Sequence, residues 1–362
     1  MKNSFGNNLT VTLFGESHGV AIGAVLDGLP AGIKVDTDYI KEKLNLRRSF
    51  GGISTARTEE DEFEILSGVF GGYTTGTAIC IMVRNADTKC GDYLDLKVKP
   101  RPSHADFVAN EKYCGYQDYR GGGHFSGRCT VALVAVGAIV EMALKNKGIL
   151  IGTHIRSIKD NLDRDFIDYA SDINALSNKQ FAVLDDTVAE KMQNAILSAK
   201  ADGDSVGGVL ETAIVGLPVG VGEPWFDSIE SVLSHAIFSI PAVKGVEFGL
   251  GFKFNDLFGS EANDEFSYLG DKVITKTNNN GGINGGISNG MPIIMKTAVK
   301  PTPSIFKTQN TVDLENKEDT TLQIKGRHDP AIIHRARVVV DMMTALALGD
   351  LLITAFGINY LK

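Results

Sequence analysis

Residues 128 to 146, RCTVALVAVGAIVEMALKN, are apolar on nearly every face of the helix their spacing predicts, and Gly148 follows as a stop. A helix of that kind must be covered by other layers. The strand-like run ILIGTHIRSI (149–158) follows directly, and a long helix from Ala331 closes the chain. Further strands are predicted over 8–14, 20–27, 63–70, 77–84, 209–216 and 292–299, with another around Val246. Asp36 reads as the N-cap of a helix through Ile40 and Leu44, and helices are also expected over 188–199 and 228–238. The pattern calls for an α/β (α+β) fold, one layered unit spanning residues 1–362. The polar, weakly patterned stretches 157–185, 260–280 and 307–322 are expected to be surface excursions.

Composition narrows the function classes. A chain that is 43% hydrophobic can fill a sizeable core, and a soluble globular protein is expected. The longest apolar stretch, Val131 to Val140, ends at Glu141 before it could cross a bilayer, so the expected setting is the cytoplasm. A net charge of −8 argues against a nucleic-acid binder with a basic surface. Cys80, Cys90, Cys114 and Cys129 have neither CxxC spacing nor histidine neighbours at metal-site spacing, so they read as reduced thiols and no metal site is expected. No Gly-Lys pair is present for a phosphate-binding P-loop, and no HExxH for a zinc hydrolase.

Glycine is abundant, at 40 residues against 10 prolines, and is concentrated at Gly121-Gly122-Gly123, Gly207-Gly208, Gly281-Gly282 and Gly285-Gly286. GGGHFS (121–126) falls short of a dinucleotide fingerprint because Ser126 stands where the third glycine belongs. It is either a tight lead into a buried helix or a loop whose N–H groups meet a phosphate or a flavin edge.

His154, His235 and His334 fall inside predicted elements or beside apolar pairs, which assigns them structural roles. His18, His104, His124 and His328 lie in loops, and three of the four sit near arginines: RPSHADF (101–107), GGGHFSGR (121–128) and GRHDP (326–330). An imidazole can give and recover a proton near neutral pH, worth about 10²–10⁴ in rate. Arginine instead grips phosphate or carboxylate through paired bonds. The mixture suggests an anionic, phosphorylated substrate whose phosphate departs, although surface Arg–Asp pairs would leave a similar trace.

GESHG (15–19), LDGLP (26–30), EILSGVFGGYTTGTAI (64–79), RPSHADF, YRGGG (119–123), GEPWFDSIESVLSHAIFSIPAVKGVEFG (222–249), GGINGGISNG (281–290), KPTPSI (300–305) and GRHDP together resemble chorismate synthase, in family order and over essentially the whole chain. The resemblance implies a single-domain β-α-β sandwich assembled as a homotetramer. It implies a carbon–oxygen lyase acting on phosphates, which converts 5-enolpyruvylshikimate 3-phosphate to chorismate by anti-1,4-elimination. This is a step of the shikimate pathway toward aromatic amino acids, and it uses reduced FMN without net redox change. Whether the chain reduces its own flavin with NADPH or draws on a separate flavin reductase is left open.

Carried over residue by residue, the resemblance makes His18 the acid for the leaving phosphate and His104 the group that protonates reduced flavin. Asp329 is the base serving the flavin, with Ser17 and Ser126 as relays. Arg47, Arg101, Arg128 and Arg327 form the anion-binding set, with Arg48 beside them. The flavin loops are His124, Phe125 and Ser126, Pro241 and Ala242, Gly285, and Lys300, Pro301, Thr302, Pro303 and Ser304, adjoined by Arg327. Glu16 is read as structural. This chain departs from the family in having no arginine between Arg48 and Arg57, and in His124, Phe125, Cys129 and Asp341. Altered ligand affinity is therefore expected more than lost chemistry. The alternative is a non-catalytic binder of FMN or of a phosphorylated acid that keeps the fold. Clustered arginines are also expected to repel one another until ligands order the loops.

Overall fold

The all-apolar segment does form a buried helix. A 3-10 turn, Gly127–Cys129, runs into the α-helix Thr130–Asn146, in which every residue from Thr130 to Glu141 is buried. The structure is a computed structural model that describes residues 2–54, 61–85, 95–324 and 328–362. The Thr130–Asn146 helix lies along the closing helix Ile333–Phe356. A Cβ on Gly137 would stand 2.6 Å from Met342 Cβ, so only glycine lets the two backbones come this close. Both helices are long and apolar enough to cross a membrane by length and composition, yet 83% and 89% of their apolar windows are buried inside the fold.

An antiparallel five-stranded sheet packs on each side of this helical layer. The first has the order Ser4–Phe5, Thr10–Gly15, Ala21–Asp27, Ile79–Arg84, Phe63–Ser67. The second has the order Val243–Phe248, Ile293–Val299, Gly208–Val215, Leu150–Ile158, Asn161–Leu162. Alternation sets the inner faces: Ile293, Met295, Thr297 and Val299 are buried while the residues between them are half-exposed. Ile22 and Ile81, Val136 and Val340, and Leu210 and Ile293 come from the three layers and belong to one hydrophobic cluster, all fully buried. Each such side chain contributes about 1.5–3 kcal/mol. The result is a β-α-β sandwich of the α+β class.

The three polar stretches are more ordered than their sequence suggests. Residues 157–185 contain the helix Tyr169–Leu176, which covers the outer face of the second sheet through a small cluster of Phe166, Ile173, Leu176, Ala182 and Ala213. Residues 260–280 hold the hairpin Phe266–Leu269/Lys272–Thr275, and 307–322 the hairpin Gln309–Asp313/Glu318–Leu322. Short ladders of mixed polarity leave no strong period in the sequence. The second hairpin has a positional role, since Thr311 Oγ1 donates to the Pro100 carbonyl (2.5 Å) and Leu314 N to that of Val98 (3.0 Å), just before Arg101.

Asp350 anchors the other approach to the site. Its carboxylate accepts the backbone N–H groups of Asn7, Asn8 and Leu9 at 2.7–2.9 Å. The strand Thr10–Gly15 therefore starts from a fixed point on the closing helix.

Candidate active site

That strand ends at Gly15, and Ser17 and His18 follow in a turn, both buried. They meet the glycine loop. Ser17 N donates to the Gly123 carbonyl (3.1 Å), and Ser17 Oγ lies 3.2 Å from the carbonyls of Arg120 and Gly121 and 3.1 Å from His18 Nδ1. Gly121, Gly122 and Gly123 have φ of +57°, +86° and +52°, in the left-handed region that favours glycine. They serve two imidazoles at once: a Cβ on Gly121 would run into His18, and one on Gly122 would stand 3.3 Å from His104 Cε1 and 3.8 Å from Ser126 Cβ. His124 pins the loop from the other side, donating through Nδ1 to the Gly15 carbonyl (2.8 Å).

His104 sits just before the helix Asp106–Lys112, with Nδ1 2.6 Å from Asp106 Oδ1. Arg101 grips the same carboxylate through its backbone N–H (3.0 Å), Nε (2.8 Å) and Nη2 (2.8 Å), and its Nη1 donates to Ser304 Oγ (3.3 Å). Burial opposes ionisation of Asp106, but the bonds from Arg101 and His104 outweigh it and hold the carboxyl well below the usual range. The loop 300–304 closes on this segment. Lys300 Nζ donates to the Ser103 carbonyl (2.5 Å) and Lys300 N to that of Ala242 (2.9 Å), which joins Pro241 and Ala242 to the same region. Pro301 and Pro303 frame Thr302, whose hydroxyl oxygen is buried without a partner. A small, partly open depression is lined by His104, Asp106, Tyr119, Gly122 and Phe125.

Arg47 and Arg128 are paired from within, which offsets the repulsion expected between these two. Asp61 bridges Arg47 and Arg128: Oδ2 accepts from Arg47 Nη1 (2.9 Å) and Oδ1 from Arg128 Nη1. Arg47 also reaches Thr130 Oγ1 (3.1 Å), and Arg128 N donates to Ser126 Oγ (3.2 Å). Arg48 holds a buried Nε with no partner. Asp329 accepts from Arg335 Nη1 (2.6 Å), and Arg335 Nε donates to the Arg47 carbonyl (2.6 Å). Hydrogen bonds thus run from Asp329 through Arg335, Arg47, Asp61 and Arg128 to Ser126, which packs beside Gly122 of the glycine loop.

Segments 15–18, 101–106, 119–128, 241–242 and 300–304 therefore converge. Gly285 lies at the exposed tip of the hairpin Ile283–Asn284/Ile287–Ser288, next to a glycine packed on Glu223 and Ser228. Arg327 lies outside the described residues, as do Arg57 and Cys90. Burial pushes the Cys129 thiol up to about 11, which makes it an inert wall residue. His154 and His334 are fully buried, the first between Asp163 (2.7 Å) and Glu211 (3.1 Å), the second against Ser54 Oγ (2.8 Å). His235 is exposed, edge-on to Phe5. Sequence reasoning missed Asp61, Asp106 and Arg335. Asp106 had a signal, two residues after His104 in the same motif. Asp61 sits in an acidic run, TEEDEFE, where nothing distinguishes it from its neighbours.

The fold brings two imidazoles and several arginines to one glycine loop, an arrangement suited to an enzyme with an anionic substrate. The sequence model of the chorismate synthase family matches residues 9–353. The chain is 47% identical over 345 residues to the chorismate synthase of Pyrococcus abyssi, covering 95% of this chain and 96% of that one. It is 44% identical over 360 residues to that of Dehalococcoides mccartyi, covering 98% of each. A solved structure described as the crystal structure of chorismate synthase superposes with a TM-score of 0.74 at 30% identity, covering 97% of this chain and 94% of the other. The chain belongs to the chorismate synthase family. Its activity is that of a lyase of aromatic amino acid biosynthesis, with 5-enolpyruvylshikimate 3-phosphate as substrate.

Proposed function

We propose that this chain carries out the elimination with reduced FMN, using His18 and His104 as its proton-handling groups. The convergence of both imidazoles on one glycine triplet carries the reading. The flavin fits what the fold offers: a glycine cradle a Cβ would fill, the half-exposed ring of Phe125, and the orphaned Thr302 hydroxyl in the 300–304 loop. Bound reduced flavin supplies the electron density that loss of phosphate and of an unactivated ring hydrogen demands.

The chain's own residues do the rest. Ser17 Oγ faces two carbonyls, so its hydrogen goes to one of them and its oxygen accepts Nδ1–H of His18. His18 Nε2 then holds the proton for the departing phosphate. His104 handles the proton on the flavin side, and Asp329, steadied by Arg335, is the carboxylate that receives a proton. Ser126 relays between the Arg128 backbone and the loop. Arg47, Arg48, Arg101, Arg128 and Arg327 supply the cationic setting for phosphate and carboxylates. The C–H electron pair ends in the new ring double bond and the C–O pair leaves with phosphate, so no net oxidant is needed.

We further read residues 1–362 as one domain, because one core cluster runs through all three layers. A homotetramer is supported by exposed Trp225, Phe226, Phe252, Phe258, Phe266 and Tyr268, all 68–90% accessible. A cytoplasmic setting accords with two apolar helices spent inside the core. The source of reducing equivalents, NADPH at this chain or a separate flavin reductase, is read out by the same assay. Anaerobic incubation with 5-enolpyruvylshikimate 3-phosphate and reduced FMN releases stoichiometric phosphate; oxidised FMN plus NADPH does so only if the chain reduces its own flavin. Binding of both ligands without phosphate release would support the non-catalytic alternative.

A further inference from the structure

We infer that Asp106 is a positioning residue for the reaction: held by Arg101, it fixes the tautomer of His104 so that Nε2 is the nitrogen that faces the reacting groups. The inference rests on the reading of His104 given above and adds a residue to it.

Three observations carry it. First, Asp106 Oδ1 lies 2.6 Å from His104 Nδ1, nearer than Arg101 Nη2 (3.1 Å), which donates to the same Oδ1 (2.8 Å); a carboxylate oxygen and a bare ring nitrogen cannot approach that closely without a proton between them. Second, the proton belongs to the imidazole. Arg101 places three donors on the same carboxylate at 2.8–3.0 Å, and a carboxylate gripped in this way stays ionised. Third, the ring's free edge faces the glycine cradle: the position a Gly122 Cβ would take is 3.3 Å from Cε1 and 3.5 Å from Nε2. With Nδ1–H committed to Asp106, neutral His104 presents a bare Nε2 to the site, and protonated His104 presents Nε2–H.

Arg101 acquires a second role from this geometry. Its side chain is 5% exposed; Nε and Nη2 donate to Asp106 and Nη1 to Ser304, and Nη2 also lies 3.1 Å from His104 Nδ1. It therefore ties the orienting carboxylate to the 300–304 loop. The Arg101 backbone N–H, Nε and Nη2 leave Asp106 little freedom to turn, so the imidazole has one available orientation.

The test uses full-length protein, reduced FMN and 5-enolpyruvylshikimate 3-phosphate, with 15N NMR of the histidine side chains. Wild type is expected to show His104 protonated at Nδ1. Asp106→Asn can turn its amide N–H toward Nδ1, so His104 should switch to the Nε2–H tautomer. In that variant kcat is expected to fall about 10–100-fold, with KM for the substrate changed less than twofold. Asp106→Glu should recover part of the loss. A wild-type His104 protonated at Nε2 overturns the inference even if Asp106→Asn does not fold. Unchanged kcat in a folded Asp106→Asn overturns it too. His104→Ala separates the two levels: if it too turns over normally, the reading of His104 fails; if it is impaired while Asp106→Asn is not, only the role of Asp106 fails.

Discussion

A Cβ placed on Gly121 would stand 2.1 Å from Cε1 of His18, well inside contact distance. The imidazole occupies the space that every other residue would fill with its first side-chain carbon. The glycine loop is thus part of the acid site in a steric sense.

Gly121→Ala should therefore impair the reaction before it unfolds the protein. The left-handed backbone costs about 1–2 kcal/mol for a non-glycine residue, and the remaining conflict is relieved by moving His18. Turnover is expected to fall about 100-fold or more, in the range of a lost general acid. Thermal melting beside steady-state phosphate release checks this, and a variant with normal turnover would show that His18 tolerates displacement.

His18→Ala and His104→Ala should each lower turnover by about 10²-fold or more while substrate still binds. The anion-binding arginines are held by other partners, so calorimetric titration with substrate should give similar affinity in both variants. Unchanged turnover in either removes that imidazole from the mechanism.

Asp61 is the internal counter-ion of Arg47 and Arg128, and all three side chains are 5–11% exposed. Asp61→Asn removes the carboxylate charge that both guanidinium groups share and should cost about 3–5 kcal/mol of stability. Inorganic phosphate should raise the melting temperature of this variant more than that of wild type, because it can take the place of the lost carboxylate. Equal shifts in the two proteins would mean that the pair is not open to an anion.

Burial, reinforced by the positive charge of Arg335, lowers the pKa of His334 to about 4. The folded protein binds this proton more weakly than the unfolded chain, whose histidine titrates near 6.5. The associated stability is complete above about 6.5 and is lost as pH falls toward about 4, a swing of about 3 kcal/mol. Relative to His334→Gln, wild type should lose that much across the interval in denaturant titrations. A pH-independent difference would show that His334 is accessible to protons without cost.

Much of the layered architecture was legible because long periodic runs carry their own signal. The Thr130–Asn146 helix, the Ile293–Val299 strand and the Asp36 cap all follow from spacing. The helix Tyr169–Leu176 did not, because only Ile173 and Leu176 anchor it and its covering role depends on the sheet beneath. At the site the difference is sharper. His18, His104 and the glycine triplet are marked by unusual composition, whereas Asp61 looks like any member of an acidic run until Arg47 and Arg128 close on it from opposite sides.

Sequence by itself determined which residues could do chemistry and which segments had to be buried, because residue type fixes acidity, charge and apolar period. Tertiary structure alone decided which charges meet. The pairing of Asp61 with two arginines, the clamp of Arg101 on Asp106 and the packing of two imidazoles on one loop are all set by distance in space, and Coulomb and hydrogen-bond energies depend on that distance and not on separation along the chain.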